Sequence, residues 1–285
     1  MQAERITDVI CYHMEGPCWW PQWGGLRFVD MLAGEVVQLD GEGHLSRRRV
    51  GRVAACVRPR EHGGSARGMV VATERGFTLL DADDIVTDLP DVSDDPALRM
   101  NEGGCAPDGS FYAGQMAYEK TPGAASMYRL SVDHHAERVF GDLTISNGLD
   151  WTADGALAYY NDTATGRIDV FDWSAEGGLV NRRPFATIPD GGRPDGLTVD
   201  AEGGVWTAIA NGGRVEHYLP DGTLADVIEV GAKKVTACTF GGENLDELYI
   251  TTSRENLADG EDPQAGSLFR VVPGGRGKLP FAYAG

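Results

Sequence analysis

Short β-rich runs return along this chain at a nearly constant interval, and this recurrence limits the possible folds more than any other feature. The runs are 26–30 (LRFVD), 69–73 (MVVAT), 110–113 (SFYA), 156–161 (ALAYYN), 205–208 (VWTA) and 248–251 (LYIT), starting 41–49 residues apart. No segment keeps a 3.6-residue apolar period for long, which excludes an α/β architecture. In an all-β chain a period of this length is the mark of propeller blades. Six runs predict an all-β, six-bladed β-propeller.

Each run is followed by a second β-rich segment, at 35–40, 77–81, 127–130, 168–172, 215–219 and 268–271. Hairpins of this kind bury an alternating face between neighbouring blades, so no blade is expected to be stable alone. Residues 1–285 are therefore read as one domain without an internal linker. The 39 glycines, about twice the usual share, then have a cause. Turns such as Asp108-Gly109, Asp154-Gly155 and Asp221-Gly222 need a positive φ or an Asx turn.

Charge and composition remove several functions. Lys plus Arg total 25 against 43 Asp plus Glu, a net charge of −18, which repels a phosphate backbone, so nucleic acid is not an expected partner. The first nine residues carry no apolar core of a signal segment, and no stretch reaches the roughly 18 apolar residues of a membrane span. A soluble, cytoplasmic protein without an obligate protein partner is the expectation. Five scattered cysteines never fall in C-x-x-C spacing and are expected to be buried free thiols. The acceptor pattern Asn161-Asp162-Thr163 matters only in a secreted protein and is set aside.

A propeller gathers the starts of its innermost strands around a central channel, so with the six runs read as those strands, the loops just before them are where a site is sought. Those loops hold Glu15-Gly16-Pro17, Arg99-Met100-Asn101-Glu102, Ser146-Asn147-Gly148 and Pro194-Asp195-Gly196. Arg99 and Asn101, two apart, share one face of an extended segment. Two carboxylates with one or two amide oxygens form an oxygen-rich set that suits Ca²⁺ best, with Mg²⁺ or Mn²⁺ next and Zn²⁺ or Fe²⁺ open. Taken singly, each of these elements reads as one more turn; four of them at equivalent places in four repeats count against that reading.

These residues resemble the senescence marker protein-30, gluconolactonase and luciferin-regenerating enzyme family. The likeness rests on Glu15-Gly16-Pro17, Arg99-x-Asn101, Ser146-Asn147-Gly148-Leu149 with Trp151, and Pro194-Asp195-Gly196-Leu197-Thr198-Val199-Asp200. Phe240-Gly241-Gly242 and Val272-Pro273-Gly274 follow in order, so essentially the whole chain is covered. The resemblance implies a six-bladed propeller that opens sugar lactones with one divalent metal. It implies that Glu15, Asn147 and Asp195 hold the metal and that Asp195 is also the general base. Arg99 and Asn101 match the family's substrate-contacting pair, and Glu119 a further contact to sugar hydroxyls. The family's Arg-x-Asn-Asp is altered here, with Glu102 at the last position, and Cys105-Ala106-Pro107 lacks the family's second Asp. The competing readings are a phosphotriesterase-like metal hydrolase and a non-catalytic propeller that binds metal or a partner.

Overall fold

The structure, a computed structural model, describes residues 1–62, 65–83 and 85–285. Its strands form six four-stranded antiparallel sheets set in a ring, as the repeat predicts. Five sheets use four consecutive strands. The first, for example, runs Met14–Trp20, Gly25–Asp30, Glu35–Asp40 and Leu45–Arg49. The sixth joins Val235–Gly241, Glu247–Thr252 and Phe269–Val271 to the N-terminal pair Glu4–Arg5, which bonds Phe269–Val271. Opposite ends of the sequence thus share one sheet and close the ring, which leaves no open first or last blade to unravel.

Apolar side chains pack between adjacent sheets. One cluster joins the first three blades through Val29, Val57, Val71, Phe77 and Phe111, and another joins the fifth and sixth through Trp206, Phe240 and Ile250. Each such fully buried side chain contributes about 1.5–3 kcal/mol. The Asp-Gly turns form as expected: Gly109, Gly155 and Gly222 have φ of 81°, 72° and 84°. The preceding Asp carboxylates accept the backbone N–H of Ser110, Ala156 and Thr223. All five cysteines are buried and free.

One part of the sequence reading is corrected. The six β-rich runs are the second strands of their blades, not the innermost ones. The innermost strands are Met14–Trp20, Ala54–His62, Leu98–Cys105, Ser146–Trp151, Pro194–Val199 and Val235–Gly241. The candidate side chains therefore stand on strands, not in loops. Glycine and proline make these segments read as turns, yet glycine here answers to crowding at the axis. A Cβ on Gly148 would lie 2.4 Å from the Leu197 backbone nitrogen, and one on Gly196 would lie 2.3 Å from the Ala237 Cβ.

Candidate functional site

Every inner strand breaks register with its neighbour at the same level of the channel. The breaks fall between Glu15 and Cys18, Ala54 and Cys56, Met100 and Glu102, Ser146 and Leu149, Pro194 and Leu197, and Val235 and Ala237. A β-bulge re-aims the side chain it displaces. The six bulges carry or adjoin Glu15, Ala55, Asn101, Asn147, Asp195 and Thr236. Glu15, Asn101, Asn147 and Asp195, four residues far apart in sequence, line one cavity of about 390 Å³ on the axis. All four are buried.

Neighbouring hydrogen bonds fix how these groups point. The Asn147 amide Nδ2 donates to Thr163 Oγ1 at 3.0 Å, which assigns Nδ2 and leaves Oδ1 without a partner. Glu15 Oε2 is likewise buried and unpartnered. Asn161 Nδ2 donates to the Asp195 carbonyl at 2.7 Å and to Thr207 Oγ1 at 3.0 Å, pinning the bulge that presents Asp195. Arg99 Nη1 donates to Asn101 Oδ1 at 2.6 Å and to the Met100 carbonyl at 3.0 Å, while Asn101 Nδ2 donates to the Ser146 carbonyl at 2.7 Å. Asn101 is thereby locked between two strands and aims the guanidinium, whose centre also lies 5.9 Å from the Tyr118 ring.

The carboxylates are held against their preference. Burial, reinforced by the charge of Glu102, pushes the Asp195 carboxyl up to about 8, with the Asn147 hydrogen bond acting the other way. Burial and then the Asp195 charge push Glu15 well above the usual carboxylate range. Buried acceptor atoms without donors, beside carboxylates that resist ionisation, are costly unless a cation completes them. Glu15, Asn147 and Asp195 therefore fit a hard divalent ion with oxygen ligands. Among the described residues, no group of three or more His, Cys, Asp or Glu side chains is placed to hold a metal, so the carboxamide of Asn147 is needed to complete the set.

Glu102 is satisfied within the fold. Its Oε1 accepts from Arg58 Nη2 at 3.0 Å and from the Gly103 N–H at 3.0 Å, forming a buried ion pair just beyond the cavity floor. Glu119 is placed otherwise than the other candidates. The chain turns at Lys120, which has φ 54° and donates its N–H to the Ala117 carbonyl. Tyr118 and Lys120 line the cavity, whereas Glu119 is exposed and stands off its wall.

Several cavity residues escaped the sequence reading. His13 and Ser253 face each other across the first and sixth blades, with Nδ1 and Oγ 2.6 Å apart. Burial, and then the positive charge of Arg99, holds the His13 ring neutral by lowering its pKa to about 3. Its Nε2 lies 3.9 Å from Glu15 Oε1. The available signal was the two-residue step along an inner strand: His13 precedes Glu15 as Arg99 precedes Asn101. Asn161 was hidden by its glycosylation-like context, yet its side chain is wholly buried.

A ring of six bulged strands that brings two carboxylates and a carboxamide to the floor of an axial cavity, with a clamped arginine beside them, defines an oxygen-donor propeller. More particularly, the chain belongs to the SMP-30/gluconolactonase/LRE-like family, whose model matches residues 14–254. It is 33% identical to regucalcin of Danio rerio over 282 residues, covering 95% of this chain and 94% of that protein. Regucalcin of Homo sapiens is 33% identical over 301 residues, covering 100% and 99%. Among solved structures, luciferin-regenerating enzyme matches with a TM-score of 0.89 at 28% identity, covering 99% of each chain. A calcium-binding protein, regucalcin, from Agrobacterium tumefaciens matches with a TM-score of 0.91 at 27% identity, covering 99% and 97%. No helix among the described residues is long and apolar enough to cross a membrane.

Proposed function

We propose that this protein is a divalent-metal-dependent lactonase that opens sugar lactones to the hydroxy acid. One observation carries the reading: Glu15 and Asn147 present unpartnered buried oxygens beside Asp195, in the same cavity as the Arg99–Asn101 clamp. Family membership supports it. When bound by Glu15, Asn147 and Asp195, the cation, for which Ca²⁺ is the first candidate, supplies electrophilic polarisation of the ester carbonyl.

The chain's own groups do the rest. Asp195 takes the proton of the attacking water as general base, worth typically 10²–10⁴-fold, and returns it to the ring oxygen as the acyl C–O bond breaks. The ester carbonyl oxygen gains negative charge as water adds, and the Arg99 guanidinium stabilises it electrostatically. Because Asn101 and the Met100 carbonyl already hold Nη1, the remaining donors of Arg99 are oriented before substrate arrives. The apolar side chains of Leu32, Met116, Ile145 and Val235 that line the same cavity restrict water around the ring and favour a bound near-attack geometry.

The test is a lactone panel followed by acid release, run after chelation and again after adding back Ca²⁺, Mg²⁺, Mn²⁺ or Zn²⁺. Turnover lost on chelation and restored by one of these ions is expected. Full activity after exhaustive chelation would sink the mechanism. Turnover of organophosphate triesters without any lactone would move the protein to the phosphotriesterase class.

A further inference from the structure

The cavity wall carries more positive charge than opening a neutral sugar lactone requires. Four cations line it, Arg99, Lys120, Arg193 and Lys234, against three carboxylates, Glu15, Asp195 and Glu255. The chain as a whole has 25 cationic residues to 43 acidic ones, and elsewhere many of its arginines and lysines pair with carboxylates. Arg129 pairs with Asp108, Arg182 with Asp169, Arg214 with Glu216 and Lys278 with Asp150. The four cavity cations form no ion pair with any described residue. Lys234 Nζ donates instead to the backbone carbonyl of Glu255. In so acidic a chain, four cations without an ion pair line one cavity, and the charge of Glu255 reaches Arg99 among them.

Their placement is ordered. Arg193 and Lys234 each stand one residue before an inner strand, in adjacent blades. The carbonyl of Arg193 accepts the Ala210 N–H and that of Lys234 accepts the Ser253 N–H, both at 2.9 Å. They are equivalent positions and so lie side by side around the rim. Lys120 comes from the third blade. Arg193 and Lys120 are exposed, Lys234 is half-buried and Arg99 is buried, so positive charge runs from the mouth to the floor. On the lactonase reading, the charges of Glu15 and Asp195 are matched by a divalent ion. Glu255 alone then stands against four cations. Arginine and lysine together are the usual receivers of carboxylate and phosphate.

Resting on that reading, we infer that the substrate is a sugar lactone carrying an anionic group in addition to its ring ester, a carboxylate or a phosphate monoester, and that Arg193 and Lys234, aided by Lys120, receive this group. The ester's own carbonyl is left to Arg99. The open product would then bear two anionic groups, and the rim cations would hold the second.

The metal-loaded protein is assayed with a neutral aldonolactone, the lactone of the matching aldaric acid and a phosphorylated aldonolactone, at about 20 mM and about 500 mM NaCl. At least one anionic lactone is expected to exceed the neutral one in kcat/KM by tenfold or more, an advantage that shrinks at high salt as screening shortens to a few ångströms. The two anionic arms identify carboxylate or phosphate. Arg193→Gln and Lys234→Met should each cost the preferred anionic lactone at least tenfold more than they cost the neutral one. A neutral lactone turned over as well as or better than both anionic ones overturns the inference and leaves the lactonase reading standing. Calorimetry with the open-chain aldarate, phosphorylated aldonate and plain aldonate needs no turnover. Tighter binding of the aldarate or the phosphorylated aldonate than of the plain aldonate, lost in Arg193→Gln, supports an anion-receiving rim even where the lactone panel is silent, and equal binding of all three acids overturns it.

Discussion

Buried carboxylates occur at two successive levels of the same channel and are treated in opposite ways. At the cavity floor, Glu15 Oε2 and Asn147 Oδ1 have no donor, and Asp195 resists ionisation. Just beyond, Glu102 is paired with Arg58, accepts the Gly103 N–H and sits among the buried thiols of Cys56, Cys18 and Cys105. Burial raises those thiols, Cys18 to about 12, so they remain protonated and act as small apolar groups. The contrast separates a fastener from a site. The lower carboxylate is satisfied within the fold and braces the second blade against the third; the upper ones are left open for something the chain itself does not supply.

Substitutions at the two levels should fail differently. Asp195→Asn is expected to lower kcat/KM by about 10³-fold or more, near 4 kcal/mol, with the fold intact. An unchanged rate would remove Asp195 from the role of base. Arg58→Met should instead unfold readily in urea, losing about 3 kcal/mol or more because Glu102 is left charged and unpaired. Adding Glu102→Gln to it should restore much of that loss. If the double variant is no more stable than the single one, Glu102 is not what Arg58 compensates.

Metal-free protein sharpens the contrast by its pH dependence. The folded-state pKa of Asp195, about 8, lies above its ordinary 3.8, so the folded state binds the extra proton. The stability this contributes is full below about pH 4 and is lost as pH rises through about 8. Thermal melts of chelated protein should therefore fall across that window. A divalent ion at 100 times its Kd should add about 2.7 kcal/mol at pH 8. Chelated Asp195→Asn should melt higher than chelated wild type at that pH, although it is inactive. A flat melting profile in chelated wild type would contradict the burial argument. The smallest effect is expected at exposed Glu119, whose replacement by Ala should change kcat/KM by less than about threefold. A tenfold loss would show that this turn closes over substrate.

The repeat was legible because strands of the second and third rank carry ordinary β-branched and aromatic residues between Asp-Gly turns. The innermost strands were misread because the physics of the axis opposes the usual signals. Gly16, Gly148 and Gly196 look like breakers, yet each stands where a Cβ would strike the next strand. The set of Glu15, Asn101, Asn147 and Asp195 could still be found, because equivalent phase in four repeats, together with family likeness, points to one place. His13 stood two residues before Glu15 and was overlooked, whereas Ser253 and Asn161 could not be found. Ser253 meets His13 only across the seam between the first and last blades, and Asn161 reaches Asp195 from the neighbouring sheet.

What the sequence determined by itself is the all-β repeat, its number, its turns and the chemical types of the axial donors, since all follow from local patterns repeated at a fixed period. Only the tertiary structure decided which donors stay unsatisfied and which are paired. Glu102 and Asp195 are both acidic residues beside glycines in the sequence. Folding ion-pairs the first with an arginine from another blade and, among the described residues, gives the second no ion pair. The charge of the cavity rim was decided in the same way. A chain with a net charge of −18 gives no sign of a cationic opening until ring closure brings Arg193, Lys234 and Lys120 to the same mouth.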